Sequence, residues 1–482
     1  MINFRIIFKV LGLLLLLEGL FMLFAIPFSL YYHDNDQVPI LISSGISIIA
    51  GGLTWIFFIK TPTGFGRREG YIIVTFAWII FSFFGSLPFV LSGEIPNFTD
   101  AFFETMSGFT TTGASILNDI ESMSQGLLLW RSMTQWIGGM GIIVLSIAIL
   151  PILGIGGMQL FIAEVPGPIP DKLHPRIKAT ATRLWGIYII FTGLEAILLL
   201  FGGMNLFDAI CHSFTTMATG GYSTKQASIA FYASPYIQYV ITFFMFLAGT
   251  NFTLSYFALH MKFGKVWKNE EFRFYVGLVL GITFIVSVVL YFTENLSVEG
   301  SFRNAIFHVV SIVTTTGYVT ADYTKWVPFL WVIIFMLMFT GGSAGSTGGS
   351  IKMIRILLLF KNSWLELKRM VHPNAILPVR FNHRSVSSQI ISNVLAFIIF
   401  YLLITIFGVI IVSFLGYDLD TSFGAVATTL GNIGPGIGAV GPAENYSHFS
   451  GFGKWFLSFL MLMGRLELLT VLVIFSPSFW KK

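Results

Sequence analysis

Long apolar segments separated by short polar ones dominate this sequence. Apolar stretches of more than 18 residues recur along the chain, among them Leu184–Gly203 (interrupted by one Glu), Ile390–Phe414 and Trp455–Phe475. A helix of about 20 residues crosses the ~30 Å hydrocarbon core of a bilayer, so each such stretch is predicted to span a membrane. The pattern predicts ten helical spans, near residues 4–32, 38–59, 71–92, 126–153, 184–203, 233–261, 274–293, 327–360, 388–415 and 453–476.

The composition agrees with a membrane protein. The 482 residues are 55% hydrophobic and 11% charged, whereas an average soluble protein is about 25% charged. The segment Met1–Leu30 is interpreted as the first span and not as a signal peptide, because its apolar run is longer than a signal peptide's and no clear cleavage site follows it. The single cysteine, Cys211, excludes an internal disulfide and a CxxC metal site.

The positive charges indicate the orientation of the chain. The net charge of +5 is compatible with a nucleic-acid partner, but the basic residues cluster in every second gap between spans, so no nucleic-acid partner is expected. Lys and Arg accumulate in cytoplasmic loops, and this asymmetry predicts that both termini are cytoplasmic. The basic inner loops can also bind anionic membrane lipid or a cytosolic protein.

The gaps on the opposite, outer side are unusual. Residues 93–125 and 204–232 are too apolar for solvated loops and too short for two spans. A short helix that dips into the membrane and returns fits them better. Non-helical backbone at membrane depth is tolerated only where it is buried in protein or lines a watery path. These gaps are therefore the candidate functional segments.

Four related blocks occupy these outer gaps. A residue able to cap a helix begins each block, a hydroxyl side chain stands at the seventh position after it (Ser107, Thr215, Ser311 and Thr428), and a glycine stands at the thirteenth. The alternative is chance similarity among Gly/Thr-rich loops, and the fourth block is the most divergent. The blocks are Asp100–Gly113, Asp208–Gly221, Asn304–Gly317 and Thr421–Gly434.

Each block predicts a short helix followed by an extended Thr/Gly segment. Glycine permits backbone angles that turn successive carbonyls the same way, and four such segments around one axis can replace the hydration shell of a cation. The predicted ion-binding residues are Thr111, Thr112 and Gly113; Thr219, Gly220 and Gly221; Thr315, Thr316 and Gly317; and Asn432, Ile433 and Gly434. The segments look like the potassium-channel signature reduced to one common glycine. They predict good passage of K+ and Rb+ and partial exclusion of Na+.

Two further glycine-rich motifs, Gln135-Trp-Ile-Gly-Gly-Met-Gly141 and Leu153-Gly-Ile-Gly-Gly-Met-Gln159, complete the pattern. With the four blocks they make the whole chain resemble the TrkH-type membrane subunits of the Trk/Ktr/HKT potassium-uptake superfamily. The resemblance implies an all-α integral membrane fold with four pseudo-repeated helix–pore loop–helix units around a central pore. The implied division is two extra N-terminal transmembrane helices at 1–69, then pore units at 70–183, 184–273, 274–386 and 387–482.

The resemblance also implies partners and location. It implies a homodimer with a pore in each protomer, a cytosolic TrkA-like nucleotide-binding ring that gates it, and a bacterial inner membrane. Because this chain has no nucleotide-binding motif, no cofactor is expected in it, and K+ is the transported ion. A glycine at the first filter, here Gly113, is associated in this superfamily with potassium preference, and a serine with sodium.

A glycine- and serine-rich run, Gly341–Ser350, interrupts the eighth predicted span. A straight helix is disfavoured there because each glycine costs helical stability; close helix packing through small residues is the alternative. By resemblance the run is a movable gate beneath the filter, with Gly341, Gly342, Gly345, Gly348 and Gly349 as its flexible residues. Spacing excludes a phosphate loop, and the G-x-S-x-G match in this run lacks the strand–turn–helix context of a nucleophile elbow.

Charged and tyrosine residues within the predicted spans and loops are the remaining candidates. Arg465 lies inside the last span; by resemblance it is an electrostatic barrier below the filter, and an ion pair with Glu467, Glu195 or Glu18 is the alternative. His212 and His308 are interpreted as packing or hydrogen-bonding residues in preference to metal or proton sites. Tyr222 and Tyr318 are expected to brace the filter from behind.

The functional hypothesis is a potassium uptake channel or transporter gated by the loop and a cytosolic subunit. The alternative is a proton- or sodium-coupled cation symporter with alternating access, which predicts broken helices paired in two halves. An intramembrane enzyme requires paired Asp residues, a metal-binding spacing or a Ser/His dyad within spans, and no HExxH is present. The protein is therefore not expected to be an enzyme.

Overall fold

The computed structural model describes residues 2–61, 66–141 and 177–481, with side chains from 182 onward in the last range. We number the helices of these residues in chain order. The helices of the first half are α1 (Phe4–Met22), α2 (Ile26–Tyr32), α3 (Gln37–Phe57), α4 (Arg67–Gly85), α5 (Leu87–Ser92), α6 (Phe98–Phe109), α7 (Gln125–Gly139), α8 (Ile177–Phe201), α9 (Leu206–Met217), α10 (Pro235–Ala248) and α11 (Phe252–Leu259).

The second half is also helical. Its helices are α12 (Phe263–Trp267), α13 (Glu270–Thr293), α14 (Val298–Val313), α15 (Pro328–Leu337), α16 (Met353–Val371), α17 (Ser388–Phe414), α18 (Leu419–Gly431), α19 (Gly451–Arg465), α20 (Leu469–Phe475) and α21 (Pro477–Trp480). A two-stranded antiparallel hairpin, β1 (Arg380–Phe381) and β2 (Arg384–Ser385), lies between α16 and α17.

Six stretches of helix in the described residues are long and apolar enough to cross a membrane, or eight if each of two bent pairs counts once. Their outward faces carry large apolar side chains: Phe57 is 81% exposed, Phe284 70% and Phe414 89%. Exposing such apolar faces to water is unfavourable, whereas lipid is as apolar as the side chains and can surround them. The six stretches are Phe4–Tyr32, Gln37–Phe57, Arg67–Ser92, Thr182–Phe201, Glu270–Thr293 and Ser388–Phe414.

Two of the predicted spans are not single straight helices. The predicted span 233–261 is the pair α10 and α11, bent by 112°, and the predicted span 453–476 is the pair α19 and α20, bent by 115°. At the first bend Asn251 begins the new helix by accepting a hydrogen bond from Thr253 N at 2.8 Å. At the second bend Glu467 and Leu468 have positive φ angles of 55° and 54°, whereas the residues of an α-helix have negative φ.

The number of ten spans stays a prediction. The predicted span 126–153 begins with α7, and its second part lies outside the described residues. The motif Leu153–Gln159 also lies outside them. The predicted span 327–360 is interrupted between α15 and α16, where Gly341–Ser350 runs as non-helical chain. That interruption follows from the glycine content of the run.

Four short helices, α6, α9, α14 and α18, coincide with the four sequence blocks. The N-termini of these helices differ from the prediction, because the first residue of each block is not the helix cap. The side chains that accept a hydrogen bond from the first turn belong to Asn97, Asn205, Ser297 and Asp418. Asp100, Asp208 and Thr421 instead lie three residues after their caps. In that first turn a carboxylate still interacts favourably with the positive end of the helix dipole.

Candidate functional site

All four short helices end in the same backbone arrangement. The residue that closes each helix has a left-handed conformation: Thr111 (φ 53°), Thr219 (55°), Thr315 (61°) and Asn432 (54°). The glycine two residues later also has positive φ: 80° at Gly113, 73° at Gly221, 79° at Gly317 and 97° at Gly434. A left-handed conformation is unfavourable for threonine, and backbone strain of about 1–3 kcal/mol of this kind concentrates at functional sites.

The same hydrogen bond stabilises each of these helix ends. The residue after the left-handed position donates its backbone N–H to the carbonyl of the seventh-position hydroxyl residue. The bonds are Thr112 N to Ser107 O at 2.8 Å, Gly220 N to Thr215 O at 2.9 Å, Thr316 N to Ser311 O at 2.8 Å and Ile433 N to Thr428 O at 2.9 Å. A bond that spans five residues past a left-handed residue is the Schellman type of helix end. It turns the chain away from the helix axis into an extended segment.

The four extended segments contact one another in cyclic order. A β-carbon added to Gly113 would lie 2.1 Å from Gly220 O. One added to Gly221 would lie 1.9 Å from Thr316 O, and one added to Gly317 would lie 1.9 Å from Ile433 O. The last contact closes the cycle, because a β-carbon on Gly434 would lie 2.8 Å from Thr112 O.

Glycine is therefore required at these positions by both conformation and space. All four glycines line one cavity of about 90 Å³. The structure thus brings the twelve predicted ion-binding residues, which are spread over more than 300 positions of the chain, to one place.

Several side chains of the segments bond to neighbouring side chains. The hydroxyl of Thr112 lies 2.8 Å from that of Thr110, and the hydroxyl of Thr316 lies 2.8 Å from that of Thr314. Asn432 donates its amide N–H to Thr112 Oγ1 at 2.9 Å. The hydroxyls of Thr112 and Thr316 are thus engaged within the protein, whereas Asn432 Oδ1 is buried without a hydrogen-bond partner among the described residues.

Gln135, on α7, is a site residue that the sequence prediction did not single out. Its Nε2 donates to Gly220 O at 2.8 Å, and its Oε1 accepts from Tyr222 N at 3.0 Å. One buried amide thus holds both sides of Gly221 in the second segment. The available signal was a glutamine within a predicted span, since buried polar residues in membranes are usually functional.

Tyrosines support the segments from behind. Tyr222 donates to Glu104 O at 2.6 Å, and the Tyr318 hydroxyl bonds to Thr215 Oγ1, so each joins one segment to the preceding short helix. Tyr446 joins the fourth segment to its own short helix, α18, because it donates to Gly434 O at 2.9 Å and lies 2.7 Å from Thr428 Oγ1. The sequence prediction did not include Tyr446, which lies 12 residues beyond its partner glycine.

A buried ion pair lies beside the first segment. Arg131 Nε lies 2.7 Å from Glu104 Oε1, and the two side chains are 2% and 1% exposed. The same guanidinium donates to Ser223 O at 3.0 Å and stacks over the Tyr222 ring at 3.5 Å. The sequence prediction did not single out Arg131. A second pair, Lys454 with Asp100 at 2.6 Å, joins α19 to α6.

Arg131→Ala is expected to lower the stability of the protein by about 3–5 kcal/mol, because it leaves the buried Glu104 carboxylate without its cation. Thermal unfolding in detergent measures the effect. Lys325→Ala is the matched control: this lysine also pairs with a carboxylate, Asp322, but is 80% exposed, so its removal should change stability little. Equal melting temperatures for the two variants would contradict the expectation.

The glycine-rich run Gly341–Ser350 lies against the first residues of the extended segments. Gly349 N donates to Thr315 Oγ1 at 2.7 Å, and a β-carbon on Gly349 would lie 2.5 Å from Gly431 O. A β-carbon on Gly348 would lie 2.9 Å from Thr314 O.

The other end of the run is attached to the bend between α10 and α11. Ser343 N donates to Gly249 O at 2.8 Å, and Phe252 N donates to Gly345 O at 3.1 Å. Two further predicted gate residues are also enclosed. A β-carbon added to Gly341 would lie 2.1 Å from Gly349 O, and one added to Gly342 would lie 2.8 Å from Gly249 O.

Arg465 connects this run to α7. Its guanidinium donates to Thr347 O at 2.8 Å, to Gly139 O at 2.8 Å and to Gly138 O at 2.5 Å. Glu467, one of the carboxylates considered as its partner, pairs with Arg355 of α16. Arg465 therefore holds the run in place through backbone carbonyls.

Comparisons with known proteins agree with this geometry. A family model described as "TrkH: Cation transport protein" matches residues 37–482. The chain belongs to the TrkH family. It is 42% identical to the Trk system potassium uptake protein TrkH of Escherichia coli K12 over 485 residues, and 38% identical to that of Halomonas elongata, with full coverage of both chains in each case.

Solved structures give the same relationship. The crystal structure of the potassium transporter TrkH from Vibrio parahaemolyticus matches with a TM-score of 0.90 at 36% identity, covering 100% of both chains. The TrkH resemblance inferred from the sequence is confirmed, and the chain is a membrane protein of mostly helical structure. The motif Gln135–Gly141, on which that resemblance partly depended, contributes Gln135 to the site described above.

Proposed function

We propose that this TrkH-family protein takes up K+, and also Rb+, into the cytoplasm through a selectivity filter built from its four extended segments. One observation supports this most strongly: the cyclic contacts among Gly113, Gly221, Gly317 and Gly434 around a single cavity. In this proposal the protein consists of two N-terminal helices and four pore units around one axis, with the unit boundaries predicted above. Relatives named as potassium uptake proteins support K+ as the ion.

The chemistry of the proposed filter is that of backbone oxygens. A dehydrated cation at the cavity exchanges its water ligands for the carbonyls of the four segments. The short helices α6, α9, α14 and α18 end at these segments, and the partial negative charge of a helix C-terminus favours a cation over an anion there. Because each segment keeps one common glycine in place of a longer signature, discrimination against Na+ is expected to be incomplete.

The proposed gate consists of Gly341–Ser350 and Arg465. The hydrogen bonds from Gly349 to Thr315 and from Arg465 to Thr347 support a blocked path directly below the filter. Opening requires the run to leave these partners. The ion then moves inward down its electrochemical gradient, to which an inside-negative potential adds about 2.3 kcal/mol per charge per 100 mV.

Regulation and assembly complete the proposal. A cytosolic TrkA-like nucleotide-binding subunit is proposed to move the gate, and two copies of this chain are proposed to form a dimer in the bacterial inner membrane with both termini in the cytoplasm. The basic loops between spans, including the exposed Arg384 of the hairpin, are available to such a partner or to anionic lipid.

Reconstitution in liposomes tests the function. With a K+ gradient, the protein is expected to pass K+ and Rb+ faster than Na+, and the current should reverse with voltage without requiring protons or Na+. Equal K+ and Na+ flux would contradict the proposed filter. Flux that requires a proton or Na+ gradient would contradict the channel mechanism and favour the coupled symporter.

A further inference from the structure

Three short helices carry a polar side chain at the fourth position after the first residue of their block. We call this the tether position; it holds Glu104 in α6, His212 in α9 and His308 in α14. Glu104 and His212 are 1% and 0% exposed, and His308 is also fully buried. A buried polar group is costly unless its hydrogen bonds are made, so the partners of these side chains indicate what they do.

Glu104 binds the chain just beyond the first filter segment. Its Oε2 accepts from Ile116 N at 2.8 Å and its Oε1 from Ser115 Oγ at 3.0 Å. Ser115 and Ile116 lie two and three residues after Gly113. The carboxylate is itself held by Arg131, so it presents a fixed acceptor to the outer end of the segment.

His212 binds the same part of the second segment. Its Nδ1 lies 2.7 Å from Asp208 O and therefore donates to it, because a carbonyl oxygen can only accept. Its Nε2 then accepts from Ser223 Oγ at 2.9 Å. Ser223 lies two residues after Gly221, which is the position that Ser115 has after Gly113.

His308 contacts the corresponding part of the third segment. Its Nδ1 lies 2.8 Å from Asn304 O, one turn earlier in α14. Its Nε2 lies 3.0 Å from Ala321 O and 3.4 Å from Thr320 N. These two residues follow Gly317 by three and four positions. A carboxylate and two imidazoles at equivalent positions thus contact the chain two to four residues beyond the glycine of their own segment, although the hydrogen-bonding groups that they meet differ.

The fourth segment lacks a side chain for this purpose, because its tether position is Ala425. Its short helix approaches the following chain directly: a β-carbon on Gly424 would lie 2.3 Å from Ile437 O. Thr421 Oγ1 accepts from Ala439 N at 2.9 Å, and Tyr446 donates to Gly434 O. The outer end of this segment is therefore held by other means, and the connection exists in all four.

We propose that Glu104, His212 and His308 are positioning residues that hold the outer ends of the first three filter segments and thereby set the discrimination between K+ and Na+. This inference rests on the proposed function, since it assigns a role within the same filter. The physical reason is that selection between two ions of like charge depends on the spacing and stiffness of the carbonyl ring. A segment released at its outer end can move inward around a smaller ion.

The test compares K+ and Na+ flux through the full-length protein in liposomes. His212→Leu and His308→Leu are each expected to lower the K+/Na+ flux ratio about fivefold, the scale of one lost hydrogen bond. His212→Gln and His308→Gln keep a polar amide at the tether position and should restore the ratio to within about twofold of the unmodified protein. His448→Leu, at an exposed histidine of the outer loop, is the control and should leave the ratio unchanged.

Ser223→Ala provides a second route if His212→Leu does not fold. It removes the hydroxyl that bonds to His212 Nε2 and should lower the K+/Na+ flux ratio by a similar factor. The double variant His212→Leu/Ser223→Ala should lower the ratio little further than either single variant. Unmodified protein that passes no K+, or passes both ions equally, overturns the proposed function. Unmodified protein that discriminates, with folded His212→Leu, His308→Leu and Ser223→Ala variants that discriminate equally well, overturns the inference alone.

Discussion

Gly317→Ala is expected to reduce K+ flux by roughly 100-fold or more, which corresponds to about 3 kcal/mol. Two costs act together. The residue has φ of 79°, a conformation that alanine adopts only with strain. The new methyl group would also lie 1.9 Å from Ile433 O and 2.8 Å from Pro435 Cδ. Both contacts are to atoms of the fourth segment, a backbone carbonyl and a proline ring, that cannot rotate away. The third and fourth segments must therefore separate.

Flux of K+ or Rb+ into liposomes measures this effect, with thermal unfolding as the check on folding. Gly281→Ala is the matched control, because this glycine lies in the membrane helix α13 and a β-carbon there meets nothing within 4 Å. Alanine also favours helix over glycine by about 1 kcal/mol, so the control should be at least as stable as the unmodified protein. A folded Gly317→Ala protein with ordinary flux would remove the main support for the filter.

Arg465→Ala is expected to raise K+ flux on the order of tenfold, the effect of lowering a barrier by about 1.4 kcal/mol. The substitution removes three hydrogen bonds that attach Gly341–Ser350 to α7, those to Gly138 O, Gly139 O and Thr347 O. It also removes the positive charge that the proposed gate places below the proposed filter. A fixed cation about 4 Å from a passing ion opposes it by about 4 kcal/mol at the effective dielectric of a protein surface.

Arg465→Lys separates the two contributions. Lysine keeps the charge but is a single ammonium in place of a planar fork of donors, so it should give flux between the unmodified protein and Arg465→Ala. Lys268→Ala, which removes an exposed charge from the loop between α12 and α13, should leave flux unchanged. Flux through a folded Arg465→Ala protein that is equal to or below the unmodified level would show that Arg465 is not part of a barrier.

Local sequence determined much of the candidate site. The four blocks were recognisable because each must end a helix and then turn the chain, and only glycine tolerates the backbone angles found at Gly113, Gly221, Gly317 and Gly434. The interruption at Gly341–Ser350 was predictable for a related reason, since a helix loses stability with each glycine. Apolar length identified the membrane helices, because the thickness of a bilayer sets how many residues must be apolar.

The sequence prediction was wrong where two different structures share the same local sequence pattern. The sequence predicts caps at Asp100 and Asp208, but the caps are Asn97 and Asn205, three residues earlier. Both residue types suit a helix start, and only the observed hydrogen bonds decide between them. The apolar pattern likewise predicts straight spans at 233–261 and 453–476, because a straight and a bent helix have the same apolar content.

Tertiary structure alone decided which distant residues meet. Gln135 bonds to Gly220, 85 residues away, and Arg465 bonds to Gly138, 327 residues away. No local pattern records such a pairing, because hydrogen-bond geometry depends on how the helices pack. Sequence by itself determined that this is a TrkH-family membrane protein with four helix-ending glycine segments. Their cyclic contact, and the side chains that hold them from behind, follow from packing, which brings together groups whose local sequences are independent.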